Sequence, residues 1–177
     1  MAGAEKLEIY MKQDIQSTRN YYIGIDPGKR GFMCVYDASY SGYKHYPLFD
    51  GNRLNRAMID ELWKLAGYRS VMAVVEQVHS MPHQGVASTF SFGTNYGMIL
   101  GALEAMGIPY CTVTPGKWQK AICEAVDKAS NTKQMHYNAA CRLFPNIDFR
   151  KSERSRTWDD NKVDATLICE YGKRKQL

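Results

Sequence analysis

The 177-residue sequence predicts one α/β domain, a mixed five-stranded sheet of three antiparallel and then two parallel strands, flanked by helices. Three observations predict it. Short apolar, β-branched runs separated by Gly/Pro turns open the chain after residue 20, as in a hairpin meander. An amphipathic helical pattern then precedes Val71-Met72-Ala73-Val74-Val75, a continuous apolar run of the kind found in strands buried on both faces. Helix-like and strand-like segments follow in order with no repeat or linker, in a length suited to one core.

Tyr21–Asp26 reads as a buried strand closed by Asp-Pro-Gly, and Gly31–Asp37 as a second strand across a four-residue hairpin loop. A third strand near Tyr43–Leu48 completes the meander. Leu54, Met58, Leu62 and Leu65 have helical spacing, with Gly67 as the stop, so residues 54–66 form a crossover helix. Val71–Val75 leads straight into Glu76. Residues 86–106 are helical and Ile108–Val113 is the second parallel strand. Thr114-Pro115 starts the next helix, Lys117–Val126, with Thr as cap and Pro at the first helical position. Another runs over Thr132–Phe144 to Pro145; residues 146–158 form a polar, basic loop; a last helix covers Asp160–Tyr171, stopped by Gly172. Residues 1–20 read as an N-terminal extension and 21–177 as the domain.

Composition narrows the class. With 45% apolar and 23% charged residues the chain is an ordinary globular one. No stretch approaches the roughly 18 to 20 apolar residues of a membrane span, and Met1–Asn20 carries Glu5, Glu8 and Asp14, unlike a signal or transit peptide. The expectation is a cytoplasmic protein, with a phage or prokaryotic setting favoured and an organelle as the alternative. Five cysteines (Cys34, Cys111, Cys123, Cys141, Cys169) with no Cys-x-x-Cys pair read as reduced core thiols and exclude a zinc framework. Charge is uneven: residues 114–177 hold 13 of the 23 Lys+Arg but 8 of the 18 Asp+Glu, the whole excess of +5. A polyanionic partner is expected there.

Four carboxylates stand where they are costly. Asp26 ends the first strand, Glu76 ends the buried fourth, and Asp160 and Asp164 are four apart on the last helix, hence on one face. By itself Asp26 before Pro-Gly is turn chemistry, and Asp160 reads equally as a helix N-cap. Together they form an all-oxygen ligand set from separate elements, suited to two Mg²⁺ or Mn²⁺ ions and to hydrolysis of a phosphodiester.

This conjunction resembles the RuvC-like Holliday junction resolvases of the RNase H-like (retroviral integrase) superfamily. The matching residues are Ile23-Gly24-Ile25-Asp26-Pro27-Gly28 with Gly31, Val75-Glu76-Gln77, the glycine-rich helix to Gly101, and Asp160-Asn161-Lys162-Val163-Asp164-Ala165, spanning residues 21–172. The resemblance implies an RNase H-like fold and a homodimeric endonuclease that cuts four-way DNA junctions with two ions per site. Asp26 would bridge the ions, Glu76 and Asp164 would complete the ligand set, Asp160 would ligate or orient the water, and Lys133 would stabilise charge on the phosphate. The last acidic pair is spaced by four, as in the fungal mitochondrial and poxviral branches, where bacterial members space it by three; Asn161 then holds the i−3 position and Asp159 rivals Asp160.

For DNA contact the candidates are His79, where bacterial relatives carry an aromatic inserted at the junction centre, Lys117, Lys120 and Lys133 near helix starts, and Arg150, Lys151, Arg154 and Arg156 in the polar loop. Lys173, Arg174 and Lys175 add a basic tail. Gly93, Gly97 and Gly101 share one helix face and predict close packing, in the core or between two copies. The alternatives are an RNase H-like nuclease for RNA:DNA hybrids or flaps, a catalytically dead junction-binding module, and a sugar-kinase or actin-like ATPase, whose two domains 177 residues cannot hold.

Overall fold

The computed structural model describes residues 20–28, 30–68, 70–77, 85–123 and 131–177. His79, nearly all of the N-terminal extension and the last residues of the helix expected to reach Val126 lie outside the described residues.

β1 (Tyr21–Asp26) and β2 (Phe32–Asp37) pair antiparallel from Tyr21–Asp37 to Asp26–Phe32, and β3 (Gly42–Pro47) continues the meander against β2. A small hairpin of β4 (Phe49–Asp50) and β5 (Arg53–Leu54) follows, turned at Gly51 with φ 60°, a conformation glycine adopts without strain. Two-residue strands have no periodicity to read, so the signal of this hairpin in the sequence is its Gly51-Asn52 turn pair alone. It takes Leu54 out of α1 (Arg56–Leu65), which starts instead where the Asn55 side chain accepts the Ala57 and Met58 amides.

β6 (Val71–Glu76) then joins β1 in parallel, α2 (Val86–Ala105) crosses over, and β7 (Tyr110–Val113) joins β6 in parallel. The sheet order is β3-β2-β1-β6-β7, three antiparallel strands and two parallel ones as expected. Three helices complete the chain: α3 (Pro115–Cys123), α4 (Thr132–Leu143) and α5 (Asp160–Lys175).

Side chains alternate across a sheet, so the strands sort their residues between two cores. Ile23, Ile25, Ala73 and Val75 meet Met58 and Leu62 of α1 and Ile99 and Leu103 of α2 on one face. Tyr22, Gly24 and Val74 point to the other, beneath α5 and its neighbours α3 and α4, where Trp118, Ala139, Val163 and Leu167 are buried. Asp26 and Glu76 keep the parity of Gly24 and Val74, so both strand-end carboxylates emerge on the α5 side.

How closely α5 approaches is set by glycine. A methyl group on Gly24 would collide with the Cys169 amide nitrogen and the Ala165 carbonyl oxygen, so the helix backbone lies directly on β1. Gly172, expected to stop the helix, does the same on β6, where an added Cβ would stand 2.7 Å from Val74 Cγ2. The helix runs on to Lys175 and ends at Gln176 in the left-handed conformation, φ 51°. A buried glycine that admits a neighbour and one that ends a helix look alike in sequence.

The glycine face of α2 does not serve the core. Among the described residues nothing lies within 4 Å of a Cβ built on Gly93, Gly97 or Gly101, and Val86 and Phe90 at the start of the helix are exposed. The cysteines are free, with Cys34, Cys123 and Cys169 buried. Among the described residues no helix is long and apolar enough to cross a membrane.

Candidate active site

Ile25 is level with Val75 in the parallel β1–β6 pair, so Asp26 and Glu76 are the next residues at the same ends of adjoining strands. Asp26 is 8% exposed, and its Oδ1 accepts the Gly28 amide at 3.2 Å. Its carboxyl is pushed up to about 8, first by burial and then by the charges of Asp164 and Glu76, with Asp159 adding and the Gly28 N–H opposing. Glu76 is also raised, chiefly by burial, while the Trp118 indole N–H, donating to Oε1 at 2.8 Å, acts against it. Trp118 reaches Glu76 because β7, paired with β6 through Val113–Glu76, leads at once into α3.

The third acid comes from α5. Asp164 Oδ1 lies 2.7 Å from His136 Nδ1 on α4. The choice between Asp159 and Asp160 is visible in their geometry. Asp159 is the N-cap, its side chain accepting the Asn161 and Lys162 amides, and its charge acts on Asp26. Asp160, the first helical residue, turns to Lys133 Nζ at 2.6 Å, an exposed pair in which the carboxylate holds the ammonium above its usual range. Asn161 lies on the Asp26 side: a Cβ on Gly28 would be 3.6 Å from both Asn161 Oδ1 and Asp26 Oδ1. Asp26, Glu76 and Asp164 are thus brought together electrically, and Asp160 stands with Lys133 at their edge.

Trp118 and His136 were not singled out from the sequence, whereas Asp159 was the rival of Asp160 and Asn161 the occupant of the i−3 position. The first two occupy buried positions of amphipathic helices and read as core; only their polar nitrogens hinted at a partner. The basic candidates are dispersed. Lys117 and Lys120 are exposed on α3, and Lys151, Arg154 and Arg156 are exposed in the loop before α5. Arg150 is engaged by Asp148 through contacts of 2.7, 3.0 and 3.1 Å, which leaves it less available to a phosphate.

Among the described residues no three His, Cys, Asp or Glu side chains are gathered tightly enough to grip a metal as they stand. The chemistry of the set nevertheless fits a hard divalent cation. Its donors are carboxylate oxygens, and their mutual repulsion, expressed at Asp26, is what a bound cation would relieve. The residues able to hold one are Asp26, Glu76 and Asp164, with Asp159, Asp160 and Asn161 at the rim.

No protein-family model and no curated protein matches the sequence. Among solved structures the chain is similar to RuvC of Thermus thermophilus, with TM-score 0.52 and 14% identity over 88% of this chain and 96% of that one. It is similar also to T. thermophilus RuvC in complex with Holliday junction substrate, with TM-score 0.51 and 12% identity over the same shares. The fold is therefore the RNase H-like α/β fold of RuvC, as the motifs led us to expect.

Proposed function

We propose that this chain is a divalent-metal-dependent endonuclease that resolves four-way DNA junctions. The observation that supports it most is the mutual influence of Asp26, Glu76 and Asp164, from two adjoining parallel strand ends and the helix laid across them, on a buried Asp26 that is held up to about 8. Acids are rarely assembled against their own repulsion unless a cation is to be held. The substrate is taken from the neighbour whose structure contains a Holliday junction, on a shared fold.

Asp26, Glu76 and Asp164 would hold Mg²⁺ or Mn²⁺, two ions per site, with Asp160 or Asp159 completing the set. A divalent cation there supplies charge neutralisation at the scissile phosphate and lowers the pKa of a water molecule. The protein's part is positional. Rigid strand ends fix Asp26 and Glu76; Lys133, exposed beside Asp160, is the cation placed to meet developing negative charge on the phosphate. Lys117, Lys120, Lys151, Arg154 and Arg156 would hold flanking phosphates, with Arg150 and His79 as further contacts.

Symmetric cleavage of a junction needs two sites, and the open Gly93-Gly97-Gly101 face of α2 supports a homodimer. The test is cleavage of an immobile four-way junction beside linear duplex and an RNA:DNA hybrid, with Mg²⁺ or EDTA, by the wild type and Asp26→Asn. Paired symmetric nicks on the junction alone, lost in EDTA and in the variant, are expected. Cleavage of the hybrid alone would overturn the substrate assignment, and cleavage in EDTA the metal.

A further inference from the structure

Two buried nitrogens touch the acidic cluster from behind. Trp118 Nε1–H donates to one oxygen of Glu76 at 2.8 Å, and His136 Nδ1 lies 2.7 Å from one oxygen of Asp164. A carboxylate oxygen accepts, so this second bond needs the tautomer with the proton on Nδ1. The two rings come from different helices, α3 and α4, are 0% and 4% exposed, and pack with centroids 4.9 Å apart. Neither can turn without disturbing the other.

We propose that Trp118 and His136 are positioning residues that each occupy one oxygen of a carboxylate, so that Glu76 and Asp164 offer single oxygens to a divalent cation. The inference rests on the metal-dependent reading above. A second observation points the same way. His136 Nε2 is buried and has no hydrogen-bond partner among the described residues. A buried unsatisfied nitrogen costs stability that an apolar side chain would not. What the imidazole contributes is therefore its other nitrogen, aimed at Asp164.

Single-oxygen ligands suit the octahedral shell of Mg²⁺ or Mn²⁺. Calcium takes more oxygens and commonly grips a carboxylate by both. With one oxygen of each acid already engaged, the site selects the smaller ions.

The test is Mn²⁺ binding to the full chain without DNA, read from the electron paramagnetic resonance of the free ion, with Ca²⁺ as competitor. The variants are Trp118→Phe, which keeps a ring and loses the donor, His136→Gln, which moves the amide away from the Nδ1 position, and His136→Asn, which places an amide nitrogen close to it. Loss of about 10- to 100-fold in Mn²⁺ affinity is expected for Trp118→Phe and His136→Gln, with stronger Ca²⁺ competition, and near wild-type binding for His136→Asn. A merely structural histidine would not be rescued by Asn and not lost with Gln. Equal Mn²⁺ binding in wild type and all three variants, or equal loss with Asn and Gln, would overturn the inference and leave the metal reading intact. Absence of Mn²⁺ binding by the wild type would overturn both. Should His136→Gln fail to fold by circular dichroism, Trp118→Phe decides alone.

Discussion

Replacing Asp26 by Asn should abolish metal-dependent cleavage and yet make the metal-free protein more stable at pH 8. In the unfolded chain this carboxyl ionises near 3.8, and in the fold near 8. Between those values the folded form holds a proton that the unfolded form has lost, so stability falls as pH rises through that window. At about 1.4 kcal/mol per pH unit the full rise corresponds to at most about 6 kcal/mol. Relaxation and entering water offset part of the cost of a buried charge, so about half, ~3 kcal/mol, is a realistic expectation. Asn is nearly isosteric and never ionises. In EDTA, urea unfolding should show Asp26→Asn more stable than wild type by roughly 2–3 kcal/mol at pH 8 and close to it at pH 4.5. Saturating Mg²⁺ should stabilise the wild type at pH 8, by ~2.7 kcal/mol at a hundredfold excess over Kd, and leave the variant unmoved. A destabilised Asp26→Asn protein at pH 8, or a difference that does not change with pH, would refute the claim that burial and neighbouring acids strain this residue.

Three further outcomes follow from the geometry. Gly24→Ala should cost more than about 3 kcal/mol in denaturant unfolding or prevent folding, since the methyl meets helix backbone that cannot step aside; a near-neutral result would contradict the contact between β1 and α5. Gly97→Leu on the open face of α2 should leave the melting temperature within a few degrees while converting the proposed homodimer to monomer in sedimentation; an unaltered dimer would place the interface elsewhere, and a monomeric wild type would overturn the dimer. Arg154→Ala with Arg156→Ala should weaken junction binding and flatten the log–log salt dependence by about 2, measured by fluorescence anisotropy, if each arginine contacts one phosphate.

Much of this architecture was legible because it depends on periodicity. Val71–Val75 could hardly be anything but a central strand, and the parity of Tyr22, Gly24 and Asp26 follows from the pleat. Asp26 and Glu76 drew notice at the ends of apolar runs and Asp164 just before one, and only their conjunction suggested a site. What escaped reading depends on distance rather than pattern. Asp159 and Asp160 are adjacent, and that the first caps the helix while the second meets Lys133 is a matter of three-dimensional placement that no pattern of residues encodes. Trp118 and His136 satisfy an amphipathic pattern as well as any core residue, and their hydrogen bonds span 42 and 28 positions of sequence. Gly172 was read as punctuation because its true neighbour, Val74, is about a hundred residues away in the chain.

The seat of α5 on Gly24 has a consequence for how such a protein can change over time. Main chain rests on main chain there, so the gap between the Asp26 strand and the Asp164 helix does not depend on the volume of any core side chain. Hydrophobic residues on either face of the sheet can be exchanged, and the layers they fill can thicken or thin elsewhere, while the acids keep their separation. Sequence drift is thereby uncoupled from the spacing on which the proposed chemistry would depend.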